Sequence, residues 1–222
     1  MKNKISLAAI VVPALAVLLT FGCGTSPKTA STSAPKATSL PAATSTPKPL
    51  PDFSKVRVSL DELPAGFKEI ATDDILAKQK ASGKEAYLPD GMFAFVNTDK
   101  FQVIFGMNYL LSSATKSLAF SGFLKHSDST LKDFAGALGG KNIREEKVLE
   151  GLETLGEKQA ALTMLADLED IPMRVEGVLF KRDNIGSLIL TMSMEGESPN
   201  ISLQELGTLL DQHIQESLSA AE

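Results

Sequence analysis

The sequence predicts an α+β protein: an antiparallel β-sheet with helices packed against it, a C-terminal amphipathic helix and a disordered N-terminal linker. Three observations predict it. Apolar residues fall on alternate positions at Phe101, Val103, Phe105, Met107 and Tyr109, and again at Ala160, Leu162, Met164, Ala166 and Leu168, the period of strands with one buried face. Leu203, Leu206, Leu210, Ile214 and Leu218 instead recur every three or four residues, the stripe of a helix lying on a core. Residues 24–52 hold six of the eleven prolines among Ser, Thr, Ala and Lys, a composition with too little apolar surface to fold.

The chain begins with Lys2 and Lys4, followed by a stretch at 5–21 without an ionisable side chain and then by Gly22. This is the layout of an export signal. As a transmembrane helix the stretch is short of the roughly 20 residues needed to span ~30 Å of hydrocarbon. Pro13 interrupts it, and no Lys or Arg follows before Lys28.

The single cysteine stands at the end of that stretch, in Leu19-Thr20-Phe21-Gly22-Cys23. The segment resembles the lipobox of bacterial lipoprotein precursors, although Thr20 and Phe21 stand where Leu and Ala or Ser are usual. The resemblance implies thioether linkage of Cys23 to diacylglycerol, cleavage between Gly22 and Cys23, and in many bacteria a further acyl chain such as palmitate on the new amino group. Cys23 has no His or Lys within four positions to activate it as a nucleophile. One cysteine also excludes a disulfide within the chain.

Residues 1–22 are therefore expected to be a signal peptide and 23–52 a lipidated tether, reaching about 90 Å when stretched at about 3.1 Å per residue. Residues 53–222 form a single extracytoplasmic domain. Five of the 22 basic residues (Lys2, Lys4, Lys28, Lys36, Lys48) and one of the 27 acidic ones (Asp52) precede Phe53, leaving the domain 17 against 26, a net −9. That field disfavours nucleic acid and anionic membrane surfaces. Membrane association then rests on the lipid of Cys23.

Within the domain, Thr72-Asp73-Asp74 has the polar start of a short helix through about residue 80. Residues 92–96 and 101–109 form a hairpin across a link at 97–100, with Gln102, Ile104, Gly106 and Asn108 on the face away from the core. Helix is expected over 114–138, broken near 126–129 and ended at Gly139-Gly140. A weaker strand near 143–149 precedes strands at 160–168, 173–181 and 187–194, with turns at 169–172 and 182–184 and Gln159, Thr163 and Asp167 facing outward. Ser202 and Glu205 form a capping box that starts the last helix, stapled by Ile201 and Leu206.

This element order, with Leu63-Pro64-Ala65-Gly66-Phe67, resembles the Mog1/PsbP-like α/β/α sandwich. A curved sheet around a lipid-carrying cavity is the competing architecture.

The residues that could carry chemistry are few. His126 lies in a polar turn and His213 at the edge of the terminal stripe, with no HExxH and no second ligand at metal spacing. Gly151 to Lys158 imitates a phosphate loop, but Glu157 separates Gly156 from the lysine and Gln159 replaces the Ser or Thr. Gly139-Gly140-Lys141-Asn142 lacks the earlier glycine and the hydroxyl. Asp167, Glu169, Asp170, Glu195 and Glu197 lack calcium-loop spacing.

No catalytic residue, metal or cofactor is expected. The function predicted is that of a lipid-anchored binding or protein-interaction module, without a ligand named. The alternative is a carrier of an apolar ligand in a Met- and Phe-lined pocket, with Leu118, Phe120, Phe123 and Leu124 as first candidates for its lining. An enzyme, with a His and a carboxylate gathered in a cleft, is the third reading.

Overall fold

The computed structural model describes residues 52–72, 89–137 and 140–220. The expected signal segment, Gly22, Cys23, most of the tether and the helix at 73–80 lie outside them. The described part is an α+β fold built on a seven-stranded antiparallel sheet. In chain order the strands are β1 (Phe67–Glu69), β2 (Gly91–Asn97), β3 (Gln102–Leu110), β4 (Gly140–Val148), β5 (Lys158–Leu168), β6 (Ile171–Arg182) and β7 (Ile185–Met194). Across the sheet they run β1-β2-β3-β7-β6-β5-β4. The helices are α1 (Ala114–Lys125), α2 (Ser127–Ala137) and α3 (Leu203–Ser219).

Helices cover both faces. Phe120 of α1 and Leu131 and Ala135 of α2 pack with Phe105, Met107, Val175, Leu179, Leu188 and Leu190 in one apolar cluster. On the other face Leu203, Leu206, Leu210 and Ile214 of α3 join Val56, Val58 and Leu63 from the segment before β1, together with Phe93, Phe95, Ile104, Val178, Phe180 and Ile189. Glycines mark the closest approaches. A Cβ on Gly186 would fall within 2.7 Å of the Phe120 ring, and one on Gly177 within 2.5 Å of Leu131.

This layering corrects one expectation. All nine residues of β3 are buried, including Gln102, Ile104, Gly106 and Asn108, because α3 and the entering segment cover the face that alternation alone would leave to water. The polar side chains there bond to incoming backbone. Gln102 donates from Nε2 to the Ile201 carbonyl at 2.8 Å and accepts from the Asn200 N–H at 2.8 Å. Asn108 donates to the Val56 carbonyl, and its Oδ1 accepts from the Ser187 hydroxyl at 2.7 Å. Buried polar groups persist where every lone pair and proton finds a partner, and these two amides fasten the start of α3 and the entering chain.

The α3 start is as expected: the Ser202 side chain accepts from the Glu205 N–H, Glu205 reaches back to Ser202, and Ile201 and Leu206 are both buried. The helical region breaks at one residue, His126, where the chain leaves helical geometry for a single position.

Turn lengths differ from expectation. The β5–β6 turn is only Glu169-Asp170, both with positive φ (48° and 66°), the backbone of a type I′ hairpin. Ile171 and Pro172 therefore belong to β6. The β6–β7 turn is likewise Asp183-Asn184 alone. Gly140 opens β4 rather than closing the preceding helix. At the β4 edge, positive φ at Asn142 and Glu145 accompanies two breaks in register, and bulges with exposed charge blunt an edge strand against pairing with other chains.

Two outcomes follow from the packing. Gln102→Ala leaves the Asn200 N–H and Ile201 carbonyl without this partner and is expected to cost about 1–3 kcal/mol in urea unfolding at unchanged m-value. Gly106→Ala places a methyl about 2.0 Å from the buried Phe93 ring, an overpacking expected to cost about 1–3 kcal/mol in the same measurement.

Candidate functional site

The two histidines lie on helices that cover opposite faces of the sheet. His126 is exposed and ends α1, its backbone N–H bonded to the Gly122 carbonyl. His213, on α3, is part-buried and does meet a carboxylate: Nε2 is 2.8 Å from Glu62 Oε1 and Nδ1 is 2.8 Å from the Arg57 carbonyl. The other Glu62 oxygen accepts from the Ser59 N–H and hydroxyl at 2.8 and 2.7 Å. Ser59, Glu62 and His213 thus form a chain, but in an order that leaves no base. Both ring nitrogens are within hydrogen-bond distance of protein acceptors, so neither is turned toward a substrate, and the serine touches the glutamate instead of the imidazole. The group joins α3 to the segment before β1.

Of the two phosphate-loop imitations, the stretch from Gly151 is a turn that leads into β5 at Lys158, whereas Gly140, Lys141 and Asn142 lie in β4. Glu153 accepts the Gly151 N–H at 2.9 Å, and a Cβ on Gly156 would stand 2.3 Å from the Lys181 carbonyl oxygen. Asp167 is held by Asn142 at 2.9 Å and Arg144 at 2.8 Å, and these two bonds keep its carboxyl below the usual range. Among the described residues no three His, Cys, Asp or Glu side chains converge as a metal site.

The proposed pocket-lining residues divide. Phe120 is 2% exposed and stacks within an aromatic group with Tyr109 and Phe123, centroids 5.9 to 6.4 Å apart. Leu124 is partly buried against the same cluster. Leu118, 76% exposed, faces away from it.

Hairpin register assembles a different constellation. Lys147, Thr163, Glu176 and Thr191 stand directly opposite one another across β4, β5, β6 and β7. The adjacent row is Arg144, Leu165, Arg174 and Ser193. Both rows lie on the α3 face, since Ala161, Val178 and Ile189, two residues away along their strands, belong to the cluster beneath α3. On β4 to β7 the apolar cluster gives way at these rows to a polar strip, beside the 195–202 connection that carries the chain into α3, while the first row continues on β3 and β2 as Ile104 and Phe95 of that cluster.

Thr163, Thr191 and Ser193 are buried, while Arg174 and Glu176 are half-buried. The one described bond within the strip is a long one, Arg174 Nη1 to the Thr163 hydroxyl at 3.4 Å. Among the described residues neither Arg174 nor Glu176 enters an ion pair, although they are two positions apart on one face. Burial pushes the Glu176 carboxyl above the usual range, against the opposing pull of Arg174.

Periodicity alone does not bring these residues together. A four-residue turn at 169–172 would set Leu168 against Met173 and displace β6 by two residues, whereas the two-residue turns at Glu169-Asp170 and Asp183-Asn184 align Thr163, Glu176 and Thr191. The positive-φ tolerance of Asp and Asn was the available signal.

A carboxyl raised by burial binds its proton more tightly in the folded than in the unfolded chain, so its contribution to stability falls as pH rises through and above its ordinary value of 4.5. Glu176→Gln is therefore expected to melt higher than the parent at pH 7. The difference should close as the pH falls below that value, as thermal melts across pH will show. The chain matches no model of a known family and no curated protein, so the reading of the strip rests on its own chemistry.

Proposed function

We propose that the protein is a bacterial lipoprotein, exported, cleaved after Gly22 and anchored through lipid on Cys23 at the extracytoplasmic face of the cell membrane. Its folded domain is a non-catalytic binding module on a proline-rich tether. The anchoring is supported by the Lys-bearing start, the uncharged stretch at 5–21 and Gly22-Cys23 at its boundary. The described helices do not compete with this anchor, none being long and apolar enough to cross a membrane. Helices on both faces of the sheet support the further proposal of a Mog1/PsbP-like arrangement.

The single observation that carries the binding role is the strip on β4 to β7, where an arginine and a glutamate stand together without ion-pair partners among the described residues. Holding such charges half out of water costs free energy that internal pairing would recover. Proteins retain costs of this kind at functional sites. Polar groups that converge on a rigid sheet, with few internal bonds, suit recognition better than catalysis, because nothing there supplies an activated nucleophile or a positioned base.

Cys23→Ala is expected to abolish incorporation of labelled palmitate and to move the protein out of the membrane fraction. Equal labelling of the variant and the parent would refute the anchor.

A further inference from the structure

We propose that the strip binds an α-amino acid as its zwitterion, with Arg174 taking the carboxylate and Glu176 the ammonium group. The inference rests on the reading of the strip as a recognition surface and adds the class of ligand.

Charge arrangement selects the class. Arg174 and Glu176 are two residues apart on β6, so their Cα atoms are about 7 Å apart on one face, and their side chains can converge on groups joined through one carbon. A guanidinium fork matches a carboxylate in two parallel hydrogen bonds. Beside it, a half-buried carboxylate regains from an ammonium group the interactions it gave up with water. Thr163 and Thr191 flank Glu176 in register, and Ser193 flanks Arg174; all three are buried, so the two charges stand on a neutral polar floor and it is their own exposed parts that meet the ligand.

Other classes fit less well. A phosphate group on Arg174 would meet Glu176 on one side and a domain of net −9 around it. A polycation would meet Arg144, Lys147 and Arg174 in the same two rows. A neutral sugar would leave both charges uncompensated, and no aromatic residue lies in the β4 to β7 part of either row for it to stack on. A ligand carrying both signs, a few ångströms apart, answers both residues at once.

The test titrates the full lipidated chain in detergent with L-alanine, N-acetylalanine, alaninamide, glucose and inorganic phosphate, following backbone amides by NMR and heat by calorimetry. Alanine is expected to shift the amides of 163–165, 174–176 and 191–193 saturably. Removing its ammonium or its carboxylate should weaken binding about tenfold or more, the loss of one charge-assisted contact. Arg174→Gln and Glu176→Gln should each weaken alanine binding similarly in protein that melts at or above the parent temperature for the glutamate variant.

Failure of alanine to shift these amides overturns the proposal. Saturable shifts there with glucose or phosphate alone overturn the amino-acid class and leave the strip as a binding surface, whereas shifts with none of the five remove support from both. Alanine binding unchanged in both variants places the contact elsewhere and overturns the assignment.

Discussion

Burial of β3 on both faces is the constraint on which the rest of the structure depends. The strand sits between the β1-β2 edge and the long β7-β6-β5 meander, and all nine of its residues are buried. A strand so placed must be apolar or must satisfy each polar atom internally. It does both: Val103, Phe105 and Met107 enter the cluster under α1 and α2, while Gln102 and Asn108 bond to backbone that would otherwise be orphaned. The chain entering at Val56 and the chain turning into α3 at Ile201 are therefore fastened to the same strand. Arg182 adds a second hold on the helix through a bidentate pair with Asp211, which is 5% exposed.

That fastening also decides where the second layer stops. With the two residues before its N-cap tied to Gln102 and its middle to Arg182, α3 lies over the half of the sheet marked by Ala161, Val178 and Ile189. On β5 and β6 the residues at Glu176 and Arg174 fall outside that cluster, although the Glu176 row continues through Thr191 to Ile104 and Phe95 within it, and two charges stand there without ion-pair partners among the described residues. The same geometry thus accounts for a well-packed interior and for a strip that holds charge at a cost. The histidine that meets a carboxylate, His213, belongs to the first of these and not to the second. Its contacts with Glu62 and the Arg57 carbonyl tie α3 to the entering segment.

Features governed by local chemistry were legible in the sequence. The capping box at Ser202 and Glu205 and the apolar stripe of α3 need only neighbouring residues, and both stand as expected. The hairpin of β2 and β3, the meander of β5 to β7 and the break between α1 and α2 also follow from short-range patterns. What escaped depends on layers and on register. Nothing in the alternation of Gln102, Ile104, Gly106 and Asn108 says that a helix one hundred residues later will cover them. Likewise, Thr163, Glu176 and Thr191 look like ordinary outward residues until the turn lengths set them opposite one another. A two-residue error at Glu169-Asp170 was enough to hide the strip.

Amide hydrogen exchange of the full chain tests the central claim most directly. If β3 is held on both faces, its amides from Gln102 to Leu110 should exchange only through global unfolding, with protection equal to the free energy from denaturant unfolding. The bulged edge strand β4 should exchange orders of magnitude faster. Exchange of β3 at the rate of β4 would contradict the account.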